Sequence, residues 1–166
     1  VLESLFLTLG LFLSGPGSTS GDNMETMQLA ERALAEGHLC DRLQVTYSES
    51  NGLDGASILT LANGKVARDD RPRRGTGRRV EGPVSEEQCV ALLKSALDGR
   101  LWEARSTDAS GFPDEPRPRV EVVLDGRVLF LVEGWRHELK QNKGFVAVRD
   151  GLMGLVAAIP APPVAK

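Results

Sequence analysis

Few side chains in this sequence have the type and spacing that catalysis requires. His38 and His137 are the only histidines. His137-Glu138 begins like a zincin motif, in which two histidines one helical turn apart hold zinc and the glutamate acts as base. Gln141 stands where the second histidine must be, so His137 reads as a surface histidine at a strand end or in a loop. Gly55-Ala56-Ser57 begins like a nucleophile elbow, but Leu59 replaces the glycine that lets the strained turn form. Gly75-Thr76-Gly77 is too short for a dinucleotide loop, with Val80 at the third glycine position. Asp69-Asp70 and Asp114-Glu115 are adjacent carboxylates without metal-ligand spacing, as is common in turns. The expectation is a chain that is not an enzyme and that needs no metal or cofactor.

Two segments have the composition of binding sites. Six arginines fall between Arg68 and Arg79, and the stretch from Arg71 to Arg79 reads as an exposed basic loop. Arginine grips phosphate or carboxylate with a planar fork of donors, which makes Arg73, Arg74, Arg78 and Arg79 candidate anion ligands. Asp69, Asp70 and Glu81 partly neutralise them, and no aromatic is interleaved for base stacking. A solvated loop is the plainer reading. The second segment is Ser50-Asn51-Gly52-Leu53-Asp54, within a loop of turn formers from Ser48 to Gly55. Leu53 is a lone apolar residue there, either a partner anchor or a side chain folded back on the core.

Around these segments, 166 residues at 41% apolar composition suffice for one domain with its own core. A net charge of −3 argues against a general nucleic-acid binder, which would be basic. The two cysteines, Cys40 and Cys89, could form one disulfide in an exported protein. A helix that buries Cys89 favours unpaired structural thiols instead. Leu5 to Leu13 is an apolar run followed by a Gly/Ser-rich stretch, like a secretory signal. Glu3 and the absence of a preceding positive charge count against that, and the run is short for a membrane span. Residues 1–23 are therefore expected to be a leader or disordered segment. The mature protein is expected to be cytoplasmic and to begin near Met24, with export through a degenerate signal at residues 1–17 as the alternative.

The remaining pattern outlines an α+β domain over residues 42–159, preceded by a loosely packed helix over 24–37 and followed by a Pro-rich tail over 160–166. Leu43, Val45 and Tyr47 alternate with polar residues, as a strand with one buried face requires. Asn63-Gly64 and Asp125-Gly126 are two-residue hairpin turns. Ser85 and Gln88 form a capping box for a helix whose stripe is Cys89, Leu92, Leu93, Ala96 and Leu97. Prolines 113, 116 and 118 keep Ser106 to Pro118 in a loop. Val128 to Val132 is apolar at every position, which predicts a central strand covered on both faces. Asp150 is expected to cap a short C-terminal helix bearing Leu152, Leu155, Val156 and Ile159. The predicted fold is an antiparallel sheet of about five strands with the Ser85–Leu97 helix across one face.

This order resembles a family of small bacterial proteins typified by emfourin, a proteinaceous inhibitor of thermolysin-like metallopeptidases. The likeness lies in the strand and turn from Val45 to Gly52, the helix opening Val84-Ser85-Glu86-Glu87 with its Leu101-Trp102 exit, and Pro113-Asp114 before the Asp125-Gly126 hairpin. Ser50-Asn51-Gly52-Leu53 stands where the family has a Ser-Gly-Gly turn and an aromatic. The resemblance implies a non-catalytic protein-binding domain with a protein partner, a metallopeptidase among the possibilities, meeting it through Ser50 to Asp54. The alternative is an anion-binding module, for RNA or anionic lipid, using the arginines between Arg68 and Arg79. Nucleic acid is the less expected partner, and no stable membrane span is expected.

Overall fold

A computed structural model describes residues 20–51, 55–107 and 115–160. Gly52, Leu53, Asp54, Asp114 and the apolar run from Leu5 to Leu13 lie outside the described residues. The elements run α1 (Ser20–Glu36), α2 (Leu39–Arg42), β1 (Leu43–Asn51), β2 (Gly55–Ala62), β3 (Lys65–Pro72), β4 (Arg78–Pro83), α3 (Glu86–Asp98), β5 (Arg119–Leu124), β6 (Arg127–Glu133), α4 (Arg136–Leu139) and α5 (Lys143–Ala157). A 3-10 turn at Leu101–Glu103 follows α3. The fold is α+β, and the strands form one antiparallel sheet in the order β4-β3-β2-β1-β5-β6.

Alternation decides the sheet's two faces. Leu43, Val45 and Tyr47 are buried, and their register partners Leu61, Leu59, Val120, Val122 and Leu124 complete the same apolar layer. Both predicted hairpins form, with positive φ at Asn63, Gly64, Asp125 and Gly126 as two-residue turns of this kind require. The capping box on α3 is also present. The Ser85 hydroxyl accepts from the Gln88 N–H, and the Gln88 side chain accepts from the Ser85 N–H. Cys89, Leu92, Leu93 and Ala96 form the buried stripe.

Five expectations are corrected. The basic stretch is not one long loop: Arg71 and Pro72 end β3, and Arg78 and Arg79 open β4, which brings the sheet to six strands rather than about five. Cross-strand charge explains this, because Asp69 lies opposite Arg79 and Asp70 opposite Arg78. Ser50 and Asn51 likewise belong to β1 rather than to a loop. The all-apolar strand Val128–Val132 is at the sheet's edge, not its centre. A register shift at Val122/Val123 turns both Leu129 and Phe130 inward and leaves Val128 and Leu131 exposed.

The fourth correction concerns the C-terminal helix. It starts at Lys143 and is capped by the Asn142 side chain, which accepts from the Phe145 N–H at 2.8 Å. Asp150 lies in its middle. Gly144 looks like a helix breaker but is a contact residue. Its N–H donates to the Gly99 carbonyl at 2.8 Å, and a Cβ there would meet the Leu101 nitrogen at 2.6 Å. The start of α5 is thereby pinned to the end of α3, and α5 reaches β2, β3 and β4. The first helix also packs more firmly than its weak apolar stripe suggests, since Ala30 and Ala33 are buried in the core.

Candidate binding end of the sheet

The two ends of the sheet differ in construction. At one end, α2 ties down both tight turns: the Cys40 carbonyl accepts from Gly64 N–H at 3.1 Å, and the Arg42 carbonyl from Asp125 N–H at 3.1 Å. Arg42 also pairs with Asp125 at 2.7 Å and Glu36 at 2.9 Å. The Glu86 carboxylate caps α2 by accepting from the Leu39 N–H at 2.6 Å and the Cys40 N–H at 3.1 Å. Those bonds hold the Glu86 carboxyl below the usual carboxylate range. A Cys40–Cys89 disulfide with Cα atoms 5.5 Å apart completes this stapled end. The expectation of unpaired thiols is therefore wrong. Cys89 is buried as anticipated, but α2 brings Cys40 to the first turn of α3, a proximity that sequence spacing does not reveal.

The remaining strand ends, from Asn51 to Gly55 and from Pro72 to Arg78, lie together at the opposite end. β1 leaves and β2 returns there, β3 passes to β4 there, β5 enters beside Ser48, and β6 leaves beside Arg119. The two candidate segments, separated in sequence, thus become neighbours. Gly55 pairs with Pro72, and a Cβ at Gly55 would meet the Arg71 carbonyl at 2.2 Å. Ser50 is exposed at this end.

Much of the arginine charge is already engaged within the hairpin. Arg68 pairs with Asp70 at 2.8 Å, Arg71 with Asp69 at 2.6 Å and Arg79 with Glu81 at 3.3 Å. Burial favours the neutral Asp70 carboxyl, but hydrogen bonds from Arg68 and Ser57 and the charge of Arg78 hold it below its usual range. Of the four candidate ligands, Arg79 pairs with Glu81, Arg78 opens β4 opposite Asp70, and Arg73 and Arg74 lie exposed between β3 and β4.

Beside these residues, on the helix side of the sheet, lies an open pocket of about 660 Å³. Sequence spacing does not foretell it, because its lining comes from β1, β2, β3, α4 and α5. Arg68, Arg136 and Arg149 face Glu49, Asp70 and Asp150 across it. Arg136 pairs with Glu49, Arg149 with Asp150 at 2.8 Å, and the Tyr47 hydroxyl donates to Glu49 at 2.5 Å. Burial pushes the Tyr47 phenol up, although Arg136 and Arg149 oppose it. The pocket is thus a balanced set of ion pairs over an apolar floor.

His137 sits nearby in the single turn α4, not at a strand end or in a loop, and its Nδ1 lies 2.7 Å from Glu115. The next residue, Glu138, accepts from the Ser106 hydroxyl at 2.5 Å and the Thr107 hydroxyl at 2.6 Å. These contacts fasten Ser106, Thr107 and Glu115 of the Pro-containing stretch to α4. Among the described residues, no group of three or more His, Cys, Asp or Glu side chains could hold a metal ion. No helix among them is long and apolar enough to cross a membrane. Compared with family models and with curated proteins, the sequence matches none.

Proposed function

We propose that the chain is a non-catalytic protein-binding domain that meets its partner with the loop-bearing end of the sheet. The observation that carries this reading is the asymmetry between the ends. One is stapled by the disulfide, α2 and two tight turns. The other gathers Ser50, the Arg73–Arg74 stretch and the mixed-charge pocket on a rigid sheet. Variable connections held by a rigid scaffold are a common site of recognition. The emfourin-like order of elements makes a thermolysin-like metallopeptidase the first partner to test. Engagement of Arg68, Arg71 and Arg79 by carboxylates of their own hairpin favours a protein surface over a polyanion.

The disulfide bears on location. Disulfides persist in oxidising compartments and are rare in the cytosol, so Cys40–Cys89 favours an exported protein over a cytoplasmic one.

Binding to a thermolysin-like metallopeptidase, and inhibition of it, is measured for the native chain, for S50W and for R74E/R78E. Loss of binding in the loop-end variants with unchanged melting supports the reading. Undiminished binding in both variants overturns the assignment of the surface. Capture of RNA or anionic vesicles, lost steeply as salt rises, would replace it with the anion-binding alternative.

A further inference from the structure

One row of side chains on the helix-facing side of the sheet escapes cover. The register across β1 to β4 sets Glu49, Ser57, Asp70 and Arg78 in line, beyond an inner row of Tyr47, Leu59, Arg68 and Val80. The chain leaving α5 crosses further in, where a Cβ at Gly82 would meet Ile159 at 2.9 Å. A trench therefore runs along the flank of α5. It joins the 660 Å³ pocket to a second cavity of about 360 Å³, both lined by Arg68 and Asp70. Charge along the trench is settled in pairs, with one arginine over. Glu49 takes Arg136, Asp150 takes Arg149 and Asp70 takes Arg68. The Arg78 guanidinium forms no side-chain hydrogen bond or ion pair among the described residues. It stands opposite Asp70, whose carboxylate already accepts from Arg68 and the Ser57 hydroxyl. Beside Arg78 the trench turns apolar, with Val80, Val156, Ile159 and Pro160 lining the smaller cavity.

We propose that this trench binds the C-terminal end of an extended peptide whose last residue is aliphatic, with the terminal carboxylate on Arg78. The proposal rests on the protein-binding reading above and names the segment of a partner that is held. One uncommitted guanidinium calls for one negative charge, and arginine grips a carboxylate through two parallel hydrogen bonds. A polyanion fits poorly, because the three carboxylates of the trench repel further negative charge. Val80 is two residues from Arg78 on the same strand, so charge and apolar surface lie about 7 Å apart. An aliphatic C-terminal residue carries both groups on a single Cα. The rest of the trench suits a peptide backbone better than a hydrocarbon chain. From Arg78 to Glu49 it crosses three strand spacings, about 14 Å, which is the length of roughly four extended residues. Over that length Arg136 and Arg149 offer donors to peptide carbonyls, and Glu49 and Asp150 offer acceptors to peptide N–H groups. Met153, 48% exposed on α5, lines the same stretch with an adaptable apolar side chain.

Fluorescence anisotropy on the full chain tests this with a peptide labelled at its N-terminus and ending Gly-Ser-Ala-Leu with a free carboxylate. The same peptide amidated, and one ending in serine, serve as comparisons. Saturable binding below about 1 mM is expected for the leucine acid, weakened about tenfold or more by amidation and by the terminal serine. R78Q should weaken the acid about tenfold and leave the amide unchanged, a difference that lost folding does not produce, with circular dichroism melts as the check. No saturation by about 1 mM, equal binding of acid and amide, or an R78Q loss shared by both overturns the inference. So does hexanoate that competes as strongly as the peptide, which reassigns the trench to small aliphatic acids. A native chain that binds the folded peptidase but none of these peptides loses this inference and keeps the protein-binding reading.

Discussion

Removing the disulfide tests whether the stapled end is a source of stability. The bond joins residues 49 apart in sequence and encloses β1 to β4 with the first turn of α3. In the chain-entropy account, closing a loop of that length restricts the unfolded chain by about 4 kcal/mol near room temperature. For a domain of this size that corresponds to a fall in melting temperature of roughly 10–15 °C. Cys89 is fully buried, so alanine is the suitable replacement: serine would add an unsatisfied hydroxyl to the core. The assay is urea unfolding of C40A, C89A and C40A/C89A beside the native chain, with thiol titration of unreduced protein. Either single substitution should cost nearly as much as both, because each abolishes the same bond, and the native chain should show no free thiol. Independent small losses that add would refute the reasoning. A total loss below about 1 kcal/mol would refute it as well.

Two further outcomes follow from buried contacts. Gly144→Ala gains about 1 kcal/mol of helix propensity, yet its Cβ would fall 2.6 Å from the Leu101 nitrogen, so a net loss of about 1–3 kcal/mol is expected by thermal melting. Stability equal to or above the native chain would mean that α3 and α5 do not touch there. Tyr47 is the single tyrosine, so ultraviolet absorbance titration reads it directly. Its phenol should ionise above the usual range, because burial disfavours the anion. A group with a raised folded pKa stabilises at lower pH, and that contribution disappears as pH rises through the folded value. An exposed-type titration would remove Tyr47 from the pocket's apolar floor.

What the sequence determined by itself was local. Asn63-Gly64 and Asp125-Gly126 specify tight turns because their neighbours cannot easily supply positive φ. The Ser85–Gln88 box fixes the start of α3 within four residues, and strict alternation in β1 and β5 assigns their buried faces. These signals led to an α+β antiparallel fold without reference to anything distant. The tertiary structure decided everything that depends on a partner far along the chain. β4 holds its arginines in a strand because Asp69 and Asp70 of β3 lie opposite, and an arginine run alone reads as loop. α5 tolerates Gly144 because Gly99 must approach its backbone, and a glycine read locally is only a breaker. Val128 to Val132 of β6 are all apolar yet lie at the edge, because a bulge rather than a second covering layer turns two successive side chains inward. Cys40 and Cys89 meet because Glu86 and α2 dock that turn onto α3. The mixed-charge pocket draws its lining from five separate elements. Hydrogen bonds and side-chain sterics within a few residues act at short range and are legible in order. Ion pairs, disulfides and close backbone approach act through space, and only the folded chain determines which residues they join.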